Sequence, residues 1–229
     1  MTRKVGIPLL GIVGVLVVGS GCQPPDTRIT QLPPYVGGGP SPISPLRERP
    51  QKVAKRQPAG RPVSPESGWV PSRGISSRWK CIVVHHSGSD GSTPAGMRDW
   101  HVNGRGWDGL GYHFVIGNGI GYGDGKVFVG ERWTAQKHGA HCKTANNHYN
   151  NHGIGICLIG DLNGHPATAK QIQSLARLAS FLSKKCGIPK SQILTHGGVT
   201  NSTECPGRQF SLSPVLRQMS GGSVWASSK

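Results

Sequence analysis

Two short apolar runs that end in histidine constrain this chain more than any other feature. Cys81-Ile-Val-Val-His-His-Ser-Gly88 is an unbroken apolar run closing on two imidazoles and a small polar turn, the pattern of a buried strand that delivers a polar group at its open end. Ile193-Leu-Thr-His196 repeats the pattern far downstream, and nine residues later Cys205 stands in Thr203-Glu-Cys-Pro-Gly207. Two imidazoles and a thiolate, from His85, His196 and Cys205, suit zinc. In catalytic sites zinc takes three protein ligands of this kind at roughly 2.0–2.3 Å and leaves a fourth position to water. Taken alone, His85 reads as a strand-end histidine and nothing more.

Between these runs, strand and helix patterns alternate. Ser92-Thr-Pro-Ala-Gly-Met-Arg-Asp-Trp-His-Val102 opens with a capping residue and a proline suited to a first helical turn, with Met97 and Trp100 on one face. Gly111-Tyr-His-Phe-Val-Ile116 alternates as a strand, and Gly117 to Gly125 is a glycine-rich turn. Lys126-Val-Phe-Val129 is the returning strand of a hairpin. The turn has no Gly-Lys-Ser/Thr ending and opens no helix, which excludes a phosphate loop. Ile154-Gly-Ile-Cys-Leu-Ile159 is apolar on both faces, as a central strand requires. From Thr168 to Cys186, Ile172, Leu175, Leu178, Ala179 and Leu182 trace one helical stripe, and Gly187 is placed to cap it. The predicted class is α/β: a single domain with a central mixed β-sheet flanked by α-helices and the zinc site at the strand ends.

The N-terminal third has another character. Arg3 and Lys4 precede the apolar run Gly6 to Val18, which breaks into Gly19-Ser-Gly-Cys22. Residues 1–22 read as an export signal, the run being shorter than the ~20 residues a spanning helix needs. Small residues before Cys22 are similar to a bacterial lipoprotein cleavage site, although Gly19 stands where leucine is usual. Lipidation of Cys22, which would attach the chain to a membrane on the periplasmic side, and ordinary cleavage with secretion are both open. Residues 23–73 are rich in Pro, Gly, Ser and Arg with few periodic apolar positions. Such a segment cannot offset its chain entropy by burial and is expected to be a disordered tether. Residues 74–229 form the predicted folded domain, long enough for one sizeable core.

The formal net charge is +16. Ten Lys and Arg face three Asp and Glu through Ile75, and sixteen face seven beyond it, so both parts seek anionic surfaces. An export signal and the lack of any nucleic-acid-binding pattern exclude nucleic acid as the expected partner and leave acidic lipid or wall polymer.

From about Lys80 to Gly207 the chain resembles the zinc-dependent type 2 N-acetylmuramoyl-L-alanine amidases, a family that includes bacteriophage amidase-type lysozymes and animal peptidoglycan recognition proteins. The resemblance rests on ordered motifs: Val84-His-His-Ser87, Trp107-Asp-Gly-Leu-Gly-Tyr-His-Phe114, Gly139-Ala-His141, Tyr149-Asn-Asn-His-Gly-Ile-Gly-Ile-Cys-Leu-Ile-Gly160, and His196 with Cys205-Pro-Gly207. It implies a mixed sheet flanked by helices and His85, His196 and Cys205 as metal ligands. It also implies Tyr112 and Thr203 at the reacting centre, and His141 and Asn150 lining the substrate groove. His86 is the rival to His85, and the motif alignment, together with opposite facing of neighbours along a strand, favours His85. His113, alternating away from Tyr112, is expected to be structural.

Two departures bear on the site. The step from His196 to Cys205 is one residue longer than is common in the family, and Gly197-Gly198 replaces a frequent Arg-Asp, which leaves the shape of that loop open. Cys157 and Cys205 stand where the cytoplasmic anhydro-muropeptide amidases carry glutamate and aspartate. Thr203, two residues before the cysteine, is more similar to the catalytic recognition proteins. The implied activity is zinc-dependent hydrolysis of the amide between N-acetylmuramic acid and L-alanine in peptidoglycan or a muropeptide, by a chain expected to be monomeric. The alternative the family allows is a non-catalytic peptidoglycan-binding module, which replaces the metal-binding cysteine. Among Cys81, Cys142, Cys157 and Cys186, Cys157 reads as a buried strand thiol, and no pairing of the others is favoured.

Overall fold

The structure is a computed structural model and describes residues 65–220. The expected export segment 1–22 with Cys22, and the tether as far as residue 64, lie outside the described residues.

Five strands, β1 (Cys81–His86), β2 (Phe114–Ile116), β3 (Val127–Val129), β4 (Gly153–Leu158) and β5 (Ile193–Thr195), form one sheet in the order β3-β2-β4-β1-β5. The doubly apolar segment is the middle strand, as its composition requires: all six residues of β4 are buried. β2, β4, β1 and β5 run parallel, and the glycine-rich turn returns β3 antiparallel along one edge. The sheet is therefore mixed, and four strands share one carboxyl end.

The helices are α1 (Pro94–Asp99), α2 (Glu131–Thr134), α3 (His148–His152), α4 (Ala169–Cys186), α5 (His196–Thr200) and α6 (Ser213–Ser220). α4 is bounded as its sequence implies. The Thr168 hydroxyl accepts the Gln171 N–H while the Gln171 side chain accepts the Thr168 N–H, and Gly187 closes the helix in the left-handed region at φ 69°. Gln171 does more than cap: its Nε2 donates to the Ile116 and Ile159 carbonyls, satisfying strand-end groups where β2 and β4 stop.

Alternation along the strands sorts residues to the two faces. Ile82, Val84, Phe114, Ile116, Ile154, Ile156 and Leu158 pack with Leu175, Leu178, Ala179 and Leu182 of α4 and Val215 of α6 in the main core. Cys81, Val83, Val115 and Cys157 point to the opposite face, and His85, in register with Cys157, shares that side.

Residues 65–73 of the segment expected to be a tether are among the described residues. Pro65–Trp69 is a 3₁₀ turn whose Trp69 is 3 % exposed and packs edge-on against Phe181 at 5.4 Å. The Trp69 carbonyl also accepts the Trp133 indole N–H at 2.7 Å. A single tryptophan buries ~150–250 Å², which anchors a segment that residue frequencies mark as linker. Among the described residues no helix is long and apolar enough to cross a membrane.

Candidate metal centre

The three candidate ligands meet because β1 and β5 are parallel neighbours in register. Val84 pairs with Thr195, so His85 and His196 stand one step beyond the same rung, at the carboxyl ends of adjacent strands. Their ring centroids lie 4.7 Å apart. The chain then turns through α5, whose N-cap Thr195 accepts the Gly198 N–H at 3.1 Å, and reverses at Asn201 in the left-handed region. This reversal brings Cys205 back, and the Gly197 N–H donates to the Cys205 carbonyl at 2.7 Å. A Cβ on Gly197 would stand 2.5 Å from the Thr203 carbonyl, so glycine at this position is what lets the two segments touch. The longer spacing is absorbed here, with Gly197 and Asn201 making the return possible.

As a result, one donor atom from each of His85, His196 and Cys205 lies within 4.8 Å of the others. Cys205 Sγ is 3.7 Å from His85 Nδ1. His85 and Cys205 are buried while His196 is half-buried, so the cluster opens to solvent on the His196 side. Burial holds the His85 imidazole well below its ordinary value, and the nearby imidazoles of His141, His196 and His86 act in the same direction. Burial lowers His196 as well. Both rings are neutral at physiological pH and keep a lone pair for a cation. His86 faces away, and its Nδ1 accepts the Leu162 N–H at 3.1 Å.

Tyr112 reaches the cluster from the loop before β2, its ring centroid 5.2 Å from that of His85. Thr203 is half-buried, and its hydroxyl oxygen accepts the Cys205 N–H at 3.2 Å, fixing the turn that presents the thiol. His113 is fully buried as a structural residue: its Nδ1 accepts the Gly155 N–H and its Nε2 donates to the Lys137 carbonyl.

His141 and Asn150 are the residues expected to line the substrate groove. Both are buried, at 8 % and 7 % exposure. The Asn150 carboxamide oxygen accepts the N–H groups of His141 and Cys142, each at 2.8 Å, and is a loop brace. The His141 ring lies behind His85, with its Nδ1 3.0 Å from His85 Nε2. The motif marked both residues as belonging to the site, but the turn directions that bury them come from tertiary contacts.

Residues without a sequence signal hold Tyr112 in place. His101 sits in a single wide π-type turn, Trp100–Gly104, that continues α1. Its ring stacks on Trp107 at 4.7 Å, and its Nδ1 accepts the Gly111 N–H. Burial, aided by the charges of Arg132 and Arg105, pushes His101 down to about 4. Arg132, itself buried, bonds the Leu110 and His138 carbonyls and the Asp108 carboxylate. Among the described residues no cysteine is in a disulfide; Cys81, Cys142, Cys157 and Cys205 are buried and Cys186 partly so.

Both the sequence and the fold of this chain are similar to those of known proteins. The profile described as N-acetylmuramoyl-L-alanine amidase covers residues 76–208, and the chain belongs to that family. Peptidoglycan-recognition protein SC2 of Drosophila simulans is 32 % identical over 141 residues, spanning 58 % of this chain and 71 % of its own. The Drosophila melanogaster protein of the same name is 33 % identical over 133 residues, spanning 55 % and 66 %. Among solved structures, the amidase LysC from Clostridium intestinale superposes with a TM-score of 0.53 at 29 % identity, covering 64 % of this chain and 89 % of that one. The family acts on peptidoglycan as amidases or recognition proteins, and the fold is theirs.

Proposed function

We propose that this chain is a zinc-dependent amidase that hydrolyses the bond between the lactyl group of N-acetylmuramic acid and L-alanine in peptidoglycan. The observation that carries this is the convergence of His85, His196 and Cys205 within 4.8 Å, since a recognition module needs no such set. The donors fit zinc: two neutral imidazoles and a sulfur, gathered on one side, with solvent reaching the other. When bound there, zinc supplies a Lewis acid and brings the pKa of a water toward ~7.

The remaining chemistry belongs to the chain. Tyr112, held beside His85 by a loop that His101 and Arg132 brace, would direct its hydroxyl at the scissile carbonyl. The Thr203 oxygen accepts one backbone N–H and carries a proton it can donate. Two such donors aimed at a developing oxyanion are each worth a few kcal/mol in the transition state. Residues 1–22 as an export signal and 23–64 as a tether would deliver the domain to the cell envelope, either secreted or, with Cys22 lipidated, membrane-anchored. The relatives named for peptidoglycan recognition support the substrate class.

The test is mass spectrometry of peptidoglycan fragments after digestion with the purified protein. Free L-alanine amino termini paired with intact lactyl groups are expected. Wall polymer that is bound but uncut in the presence of zinc would instead identify a binding module.

A further inference from the structure

Behind the three candidate ligands lies a chain of groups that allows one arrangement of protons. We infer that His141 is a positioning residue that fixes the ring orientation and tautomer of His85, so that His85 meets the metal through Nδ1. This rests on the metal centre proposed above.

His141 Nε2 lies 3.3 Å from the Gly153 carbonyl, which can only accept, so this nitrogen carries the proton. A neutral imidazole has one N–H, and His141 Nδ1 is therefore a lone pair. His85 Nε2 lies 3.0 Å from that lone pair and must donate to it. His85 then has no proton on Nδ1, the atom that faces Cys205 Sγ at 3.7 Å. The opposite tautomer of His141 would set two lone pairs against each other at Gly153, and it would do so in a site with almost no access to water.

The His141 ring is held by more than its hydrogen bonds. A Cβ on Gly155 of β4 or on Gly139 would collide with its Cδ2. Neither glycine has a positive φ, so what those positions require is space for the ring, not backbone freedom. Asn150 grips the backbone on both sides of the His141–Cys142 peptide. At 8 % exposure the ring offers little to a substrate, but it offers His85 an acceptor of fixed direction. Groups of this kind orient ligating histidines and typically change metal affinity 10–100-fold when lost.

The test uses the metal-free full chain and two readouts other than turnover. Long-range ¹H–¹⁵N correlation spectra report which nitrogen of His85 is protonated, and Nε2 is expected in the wild type. Zinc affinity by competition with a fluorescent chelator should fall ~10–100-fold in His141→Ala. His141→Asn, whose carboxamide oxygen can stand where Nδ1 stood, should recover most of that loss. Gly155→Ala, which displaces the ring without deleting it, should behave like His141→Ala. A residue that only filled space would lower stability equally in the Asn and Ala variants and leave the His85 tautomer unchanged. Wild-type His85 protonated on Nδ1, or undiminished zinc affinity in His141→Ala, overturns the inference. A wild-type protein that binds no zinc would sink the metal centre itself, and the tautomer would still report whether His141 orients His85.

Discussion

The Arg132 guanidinium, 2 % exposed, donates from Nε to the Leu110 carbonyl at 2.7 Å, and so ties α2 to the loop that carries Tyr112. The same group reaches the His138 carbonyl at 2.9 Å on the loop leading to His141. One buried cation thus braces both loops that flank His85. Arg132→Met keeps most of the volume but leaves two carbonyls without their donor, and is expected to cost ~3 kcal/mol of stability. Urea denaturation should show a lower midpoint with an unchanged slope, and a midpoint equal to wild type would remove the brace.

Tyr112→Phe deletes one hydroxyl and leaves the ring that packs near His85. Zinc content should stay at the wild-type level while turnover on muropeptides falls ~10–1,000-fold, because the lost interaction acts on the transition state. Equal turnover would return Tyr112 to a packing role.

Acid should destabilise the metal-free protein through its buried histidines. Burial pushes His113 down to about 3, and it accepts a backbone N–H through Nδ1 that protonation would break. Its folded value lies below the ordinary 6.5, so the folded state binds fewer protons. The stability it contributes is complete above pH 6.5 and drains away as pH falls toward 3. Denaturation midpoints measured from pH 8 to pH 4 should fall below pH 6.5, and less steeply in His113→Asn. A flat profile to pH 4 would contradict the assignment of a neutral buried ring.

Cys81 and Cys142 pack together with Val83 on the site face of the sheet, and burial pushes both thiols up to about 11. At pH 7.5 they should react with a disulfide reagent at least ~100-fold more slowly in the native protein than in urea, since the thiolate is the reactive form. Mass mapping of the labelled positions checks this, and rapid native labelling of either would show that the cluster opens.

Periodicity made the elements legible in the sequence. The doubly apolar β4, the stripe and caps of α4 and the hairpin around Gly117–Gly125 each obey a local rule. What escaped was decided by contacts between distant segments. Trp69 is one residue in a proline-rich stretch, and its partner Phe181 lies far along the chain. His141 lies in an irregular loop and Asn150 in α3, and nothing local to either reveals that the His141 ring fills space left by Gly139 and Gly155 or that the Asn150 carboxamide holds the loop backbone. Arg132 carries no sequence signal, because two of its acceptors are backbone carbonyls, which residue identity does not reveal.

The most direct measurement is on Cys205→Ser, with zinc read by elemental analysis, hydrolysis by muropeptide release and affinity by retention on insoluble peptidoglycan. A serine oxygen is a far poorer zinc ligand than a thiolate, so metal and hydrolysis should both be lost. Retention on the wall polymer should largely survive, because contacts to sugar and peptide do not depend on the thiol. A Cys205→Ser protein that cuts at the wild-type rate would contradict a zinc centre built from His85, His196 and Cys205.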